Sequence, residues 1–267
     1  MTYEIYKINF TDNKYRRTEK IENIFSINWN DDIEKAFISF DFTTNKKIKS
    51  GELIELYDKE NQKTVFIGKI TSIQRKELNK ITYFGYDLGN KLCEHADTFD
   101  FKQSCVSNAI KEVCKRFKIP ISETIIEDNT KFSHIYYKKQ LDEIIFDILK
   151  KANKKYYIDC SSGYVEIKEP YHCNELYGYV ANMYKINSLN LITGFSLTEK
   201  QTEDEESQEE NHLKILGNYN SRKGVIINIV NKELNLNSDY FLTKTTHNII
   251  GAKENVSIYI KNYDTKI

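Results

Sequence analysis

The chain has 267 residues, 40% of them hydrophobic, with 19 Tyr and 14 Phe against only 10 Gly and 2 Pro. That composition can bury sizeable cores, favours strands and excludes collagen-like or disordered chains. The 39 Lys and Arg balance 39 Asp and Glu, and no block is basic enough to leave the electrostatic footprint of phosphate-backbone binding, so no specific nucleic-acid partner is expected.

Residues 1–97 read as a run of six short strands. The first is Tyr3–Phe10. Ile24–Trp29 follows and ends in a turn cluster at Asn30, Asp31 and Asp32. In Ala36–Phe42 the alternation places Ala36, Ile38, Phe40 and Phe42 on one face, the period of a half-buried strand. Gly51–Asp58, Thr64–Arg75 and Lys80–Leu88 complete the set, with Gly68 and Gly85 inside strands, where glycine marks a bend. This spacing predicts a small barrel or sandwich.

The period then changes. Ser104 stands where a helix N-cap belongs, and Val106, Ala109, Ile110, Val113 and Phe117 recur at helical spacing until Pro120. A second helix is predicted over Leu141–Asn153, with Leu141, Ile144, Ile145, Ile148, Leu149 and Ala152 on one face and Lys150, Lys151, Lys154 and Lys155 at its C-terminal end, where cations suit the helix dipole. Tyr156–Cys160 and Tyr164–Lys168 form a hairpin around Gly163. Residues 98–187 therefore read as an α/β unit, with the two helices packed on the hairpin.

Strand periodicity returns in residues 188–267, as Leu189–Leu197, His212–Leu216, Gly224–Val230, Tyr240–Ile250 and Val256–Asn262. Between the first two lies Glu203–Glu210, with six carboxylates in eight residues, which reads as a solvated loop. The expected fold class is α+β, mostly β, with two small tube-like β-barrels flanking an α/β insertion domain.

Motifs of chemistry are missing. There is no HExxH, GxSxG, phosphate-binding glycine loop or EF-hand loop. Cys160, His172 and Cys173 are the one thiol–imidazole cluster, and they fall short of the four ligands a zinc site needs. Cys105 and Cys114 sit on a helix whose pattern buries one face, so they read as core rather than nucleophiles. Cys93 completes five cysteines without a CxxC, which suits small buried hydrophobes. His247 reads as a structural histidine and the lone Trp29 as core or interface. No catalytic residue, metal ligand or cofactor is expected. Neither a signal peptide nor a membrane-spanning run is seen.

Several segments together resemble a known family. Gly51–Leu56, Thr64–Ile73 and Ile81–Leu88 look like the first barrel of phage tail hub proteins: the late-control D-type and baseplate hubs of contractile tails, related to the spike proteins of type VI secretion. Phe99–Phe101 before the 104 helix resembles that family's entry into its α/β domain. Asn211–Gly217 and Phe241–His247 resemble strands of its second barrel. The resemblance implies a structural, non-enzymatic baseplate hub of a contractile phage tail or phage-tail-like bacteriocin. It implies a homotrimer whose partners are the tail tube, the central spike and other baseplate proteins, located in the tail particle and not in a membrane. Two rival classes stand beside it: a tail-associated cell-wall hydrolase, marked by a carboxylate or Cys with a shifted pKa in a pocket, and a glycan-binding module, marked by exposed aromatics in a cleft.

Overall fold

The structure, a computed structural model, describes residues 3–11, 14–123, 125, 127–172, 192–196, 211–216, 222–231, 236–251 and 253–263. The acidic segment Glu203–Glu210, Cys173 and the stretch 174–191 lie outside the described residues. Within them the fold is α+β and mostly β.

The first block supplies β1 (Tyr3–Thr11), β2 (Lys14–Ile21), β3 (Ile24–Asp32), β4 (Ser39–Thr44), β5 (Leu53–Asp58), β6 (Lys63–Glu77) and β7 (Lys80–Asp87). There are thus seven strands where six were expected, β2 being the addition. Asn30, Asp31 and Asp32 do not turn: β3 runs through Asp32, because Lys244–Thr246 of a distant strand pair with all three. Ala36, Ile38, Phe40 and Phe42 are all buried, but the strand begins only at Ser39: Ile38, Phe40 and Phe42 enter the first block's core, while Ala36 packs in the core of the middle unit. Phe40 lies over Gly85 of the neighbouring strand; a Cβ built there would come within 2.4 Å of its ring and 2.2 Å of the Lys69 carbonyl. Gly85 therefore leaves room for an aromatic ring.

The middle unit opens with α1 (Asn90–Cys93), then β8 (Ala96–Cys105), α2 (Val106–Arg116), β9 (Lys131–Gln140), α3 (Leu141–Leu149), β10 (Tyr157–Asp159) and β11 (Glu166–Lys168). Ser104 belongs to β8, and Cys105 stands at the N-cap without a side-chain cap bond. The first-turn polar contact comes instead from Ser107, whose Oγ accepts from Asp128 N at 2.6 Å and donates to Asp128 O at 3.0 Å. Helix α3 ends at Leu149, four residues short of expectation, with Lys150 as its C-cap. The two helices and the β10–β11 hairpin share one core that contains Val113, Ile145, Ile148, Ile158, Cys160 and Val165. Gly163 in the hairpin turn has φ +82°, and a side chain there would strike the Tyr15 ring at 2.4 Å. Tyr15 in turn donates to the Gly163 carbonyl at 2.9 Å, so this turn docks the middle unit onto the first block.

The middle range ends with β12 (Tyr171–His172), which pairs with the last block, and the last block supplies β13 (Ile192–Ser196), β14 (Asn211–Leu216), β15 (Val225–Asn231), β16 (Leu236–Ile250) and β17 (Lys253–Asn262). It does not stand apart from the first. Both blocks belong to one sheet, in the order β13-β14-β17-β16-β3-β4-β7-β6-β5-β1-β2, with β15 and β12 branching from β16. Among the described residues the sheet does not close into a barrel. The 15-residue β16 makes the junction. Leu236–Phe241 pair with β15; after an irregularity between Leu242 and Lys244, residues Lys244–Ile250 pair with β3. Such an irregularity bends a strand and lets it serve two neighbours.

Candidate assembly surface

The residues considered for chemistry are packed away. Cys114 and Cys160 are buried in the middle core. Burial pushes the Cys114 thiol up to about 12 and the Cys160 thiol well above its usual value. Cys93 donates to Asp142 Oδ2 at 3.1 Å and is raised to about 12 by burial and by that carboxylate. A thiol that holds its proton is not a nucleophile at neutral pH. Cys105 is half-buried at the start of α2. The side chain of His172 and the whole of Cys173 lie outside the described residues, among which no group of three His, Cys, Asp or Glu could hold a metal ion.

His247 and Trp29, read separately from the sequence, meet. Pairing of β3 with β16 sets them directly opposite each other, and their rings stack 4.1 Å apart at 10°. Tyr3 packs edge-on to Trp29 at 5.5 Å. His247 Nδ1 lies 3.0 Å from Glu254 Oε1, which Tyr3 also reaches at 3.3 Å. Neither His247 nor Trp29 is more than 2% exposed. The histidine is a structural member of the seam between the blocks, with Ile249 of the same strand inserted in the first block's core.

Behind the seam sits a buried ionic junction. Lys223, 3% exposed, brings Nζ within 3.1 Å of Asp31 Oδ1 and donates to the carbonyls of Asp32 and Lys35 at 3.3 and 3.2 Å. Arg222 reaches Asp31 at 3.5 Å and Asp159 at 3.7 Å, and Lys168 reaches Asp159 at 2.6 Å. Burial pushes the Asp159 carboxyl up, but Arg222, Lys168 and Lys223 outweigh it and hold the group below the usual carboxylate range. Asp87 has the opposite balance: burial dominates, Lys223 offsets only part of it, and the carboxyl rises to about 8. These residues come from all three blocks, so the junction fixes the blocks relative to one another.

The opposite face of the sheet is open and polar. Across four strands the register aligns Asn248, Asn28, Asp41 and Phe84 in one row and Thr246, Asn30, Ser39 and Tyr86 in the next. Asn248 donates to Asn28 at 2.7 Å, Asn28 to Asp41 at 2.7 Å, and Thr246 to Asn30 at 3.1 Å. The ladder continues unbroken from the last block into the first. Sequence reading passed over it, although Ser26, Asn28, Asn30 and Asp32 recur with period two along β3. Residues of the two rows, with Trp29, Phe40 and Gly85, line a cavity of about 250 Å³. The face is built of short amides and hydroxyls with the Asp41 carboxylate among them, and another protein or an aqueous channel can adjoin it.

The family model described as YQBQ-like matches residues 27–199. The chain belongs to the YQBQ-like family. No curated protein matches this YQBQ-like chain. Among solved structures it is similar to the 43 kDa tail protein of prophage MuSo2 from Shewanella oneidensis, at 10% identity and TM-score 0.69, over 97% of this chain and 98% of that one. The tail protein of Neisseria meningitidis MC58 is similar at 11% identity and TM-score 0.69, over 98% and 97%. An E. coli component of the type VI secretion system, itself described as similar to the T4 tail proteins gp27 and gp5, follows at 8% identity and TM-score 0.66, over 91% and 74%. At such identities the likeness is one of fold.

Proposed function

We propose that this YQBQ-like chain is a structural baseplate hub of a contractile phage tail or phage-tail-like bacteriocin, of the late-control D type. In this reading three copies form a ring that joins the sixfold tail tube to the threefold central spike. Residues 1–97 and 188–267 act as two tube-like barrels, and residues 98–187 as the α/β insertion between them. The observation that carries the reading is the fold shared over nearly the whole chain with two prophage tail proteins. The joining of both β blocks through β3 and β16 supports it. Two similar β faces held at a fixed angle, repeated three times, supply the six contacts that a sixfold tube demands. The role is mechanical and non-catalytic, and the partners are the tube, the spike and other baseplate proteins.

A density map of the assembled particle tests this. Three copies around the tail axis, with tube above and spike below, are expected. Another copy number, or a place off the axis, overturns the hub reading. Peptidoglycan and model glycosidase or peptidase substrates are expected to turn over no faster than in buffer. Activity that disappears on changing one carboxylate or cysteine would instead establish the hydrolase reading.

A further inference from the structure

A cavity of about 530 Å³ lies where the middle unit meets the first block, and a second of about 530 Å³, within the first block, shares Phe10, Gly51 and Leu53 with it as walls, so that the two adjoin as a groove. The floor of the first cavity is apolar, from Phe10, Leu53, Leu88 and Pro120, while the second adds the polar side chains of Lys7, Asn9, Thr18 and Glu52. Phe10 is 40% exposed although it belongs to a strand. Three exposed lysines, Lys69, Lys91 and Lys118, stand around it, and none of them is in an ion pair with a described residue. Of the three carboxylates in the lining, Glu52 lies 3.3 Å from Lys7, Glu94 accepts from Asn90 at 2.6 Å, and the buried Asp87 accepts from Gly89 N at 2.9 Å and is pushed up to about 8 by burial.

Lys118 adds an independent sign. Helix α2 ends in a Schellman turn: Ile119 N donates to Cys114 O at 2.9 Å and Lys118 N to Lys115 O at 3.1 Å. Residue 118 accordingly takes φ +53°, a position that favours glycine and strains any other side chain. A lysine kept there places an ammonium at the groove at a cost in local stability. Strain of this kind concentrates where a side chain has work to do.

We propose that this groove is a docking site for an extended segment of a partner protein that alternates apolar and acidic side chains. Two adjoining cavities with shared walls leave room for several successive residues of an extended chain. The apolar floor takes every second side chain and the three ammonium groups take the carboxylates between them. The inference does not depend on where the chain sits in a particle, nor on its copy number.

The test uses the purified full chain and a dye-labelled dodecapeptide of alternating Leu and Glu, read by fluorescence anisotropy, with oligoglutamate and a Leu/Lys dodecapeptide as controls. The Leu/Glu peptide is expected to bind at least tenfold more tightly than either control. Lys69→Glu with Lys91→Glu is expected to weaken it at least tenfold. Lys118→Gly is expected to weaken it while raising the denaturation midpoint, which separates loss of the site from loss of the fold. Zero-length carbodiimide coupling is expected to join peptide carboxylates to Lys69, Lys91 or Lys118. Equal binding of oligoglutamate, undiminished binding by the lysine variants, coupling elsewhere, or no binding at millimolar peptide would each overturn the proposal.

Discussion

At the scale of single residues, the tightest constraints are a glycine and a buried carboxyl. Gly85→Ala must displace the Phe40 ring or the Lys69 carbonyl, and is expected to cost ~1–3 kcal/mol, as overpacking does, measured by denaturant unfolding. Asp87 sets a pH dependence. Its carboxyl is raised to about 8 in the folded chain and lies near ~4 in the unfolded one. Between those values the folded state holds the extra proton, so its contribution to stability falls as pH rises from ~4 to ~8. Asp87→Asn removes this loss. The variant's advantage over the parent is expected to grow from pH 5 to pH 8 by up to ~4 kcal/mol, at about 1.4 kcal/mol per unit. An advantage that stays constant with pH would mean Asp87 is ionised throughout. The shift was not legible in the sequence, because Asp87 looks like any other Asp or Glu until the fold buries it.

At the scale of elements, apolar periodicity was a reliable guide where one face alone is buried. The Leu141–Leu149 face is found as read, and the burial alternates over Ala36–Phe42 as expected, but the strand itself is Ser39–Thr44 and Ala36 packs in the middle core rather than with Ile38, Phe40 and Phe42. Ile145 is wholly buried in the middle core, whereas Phe117 only packs against its margin, stacked on His95 at 5.2 Å. Ile145→Ala is expected to cost ~2–5 kcal/mol. Phe117→Ala is expected to cost less, ~1–2 kcal/mol, since part of the ring is already in water. Equal losses would place Phe117 inside the core. Besides the two-residue β12, two longer strands escaped notice for physical reasons. In β2 almost every side chain is exposed, so no pattern announces it. Backbone pairing with β1 defines it, reinforced by Arg17, which pairs with Glu55 at 2.5 Å and stacks 3.7 Å over Tyr57. In β9 only Phe132 and Tyr136 are buried, four residues apart. That spacing follows from the irregularities in its pairing with β8 and fits neither period. The helix α3 was overrun because Ala152 continues its apolar face after the backbone has already turned.

At the scale of the whole molecule, the three cores are tied together at the seam and at the ionic junction. Removing one partner of a buried pair leaves the other uncompensated, and Lys223→Met is expected to cost ~3–5 kcal/mol. Asp31→Asn added to Lys223→Met is expected to recover most of that loss, and thermal unfolding of the two singles and the double gives the coupling. A double variant no better than Lys223→Met would show that Lys223 acts through groups other than Asp31, the carbonyls of Asp32 and Lys35 and the carboxyl of Asp159 among them. The sequence read the order of the blocks, but not that they share one sheet. Strand periodicity tells which face of β3 is buried and says nothing of which strand lies beside it.

The seam also puts a clock on how the chain is made. Asn30 and Thr246, hydrogen-bonded neighbours across it, are 216 residues apart. At ~5–20 residues per second a ribosome needs about 10–40 s to cover that distance. During that interval the backbone edge of β3 is without its partner, and Trp29 without the ring that stacks on it. Most of the first block has its strands early and can curl around its core, but it does so with one edge unsealed, a template for pairing with any other nascent copy. The final stretch, from Lys244 onward, therefore acts as the closing piece of biogenesis, and chains released before it is synthesised carry an open edge with nothing of their own to cap it.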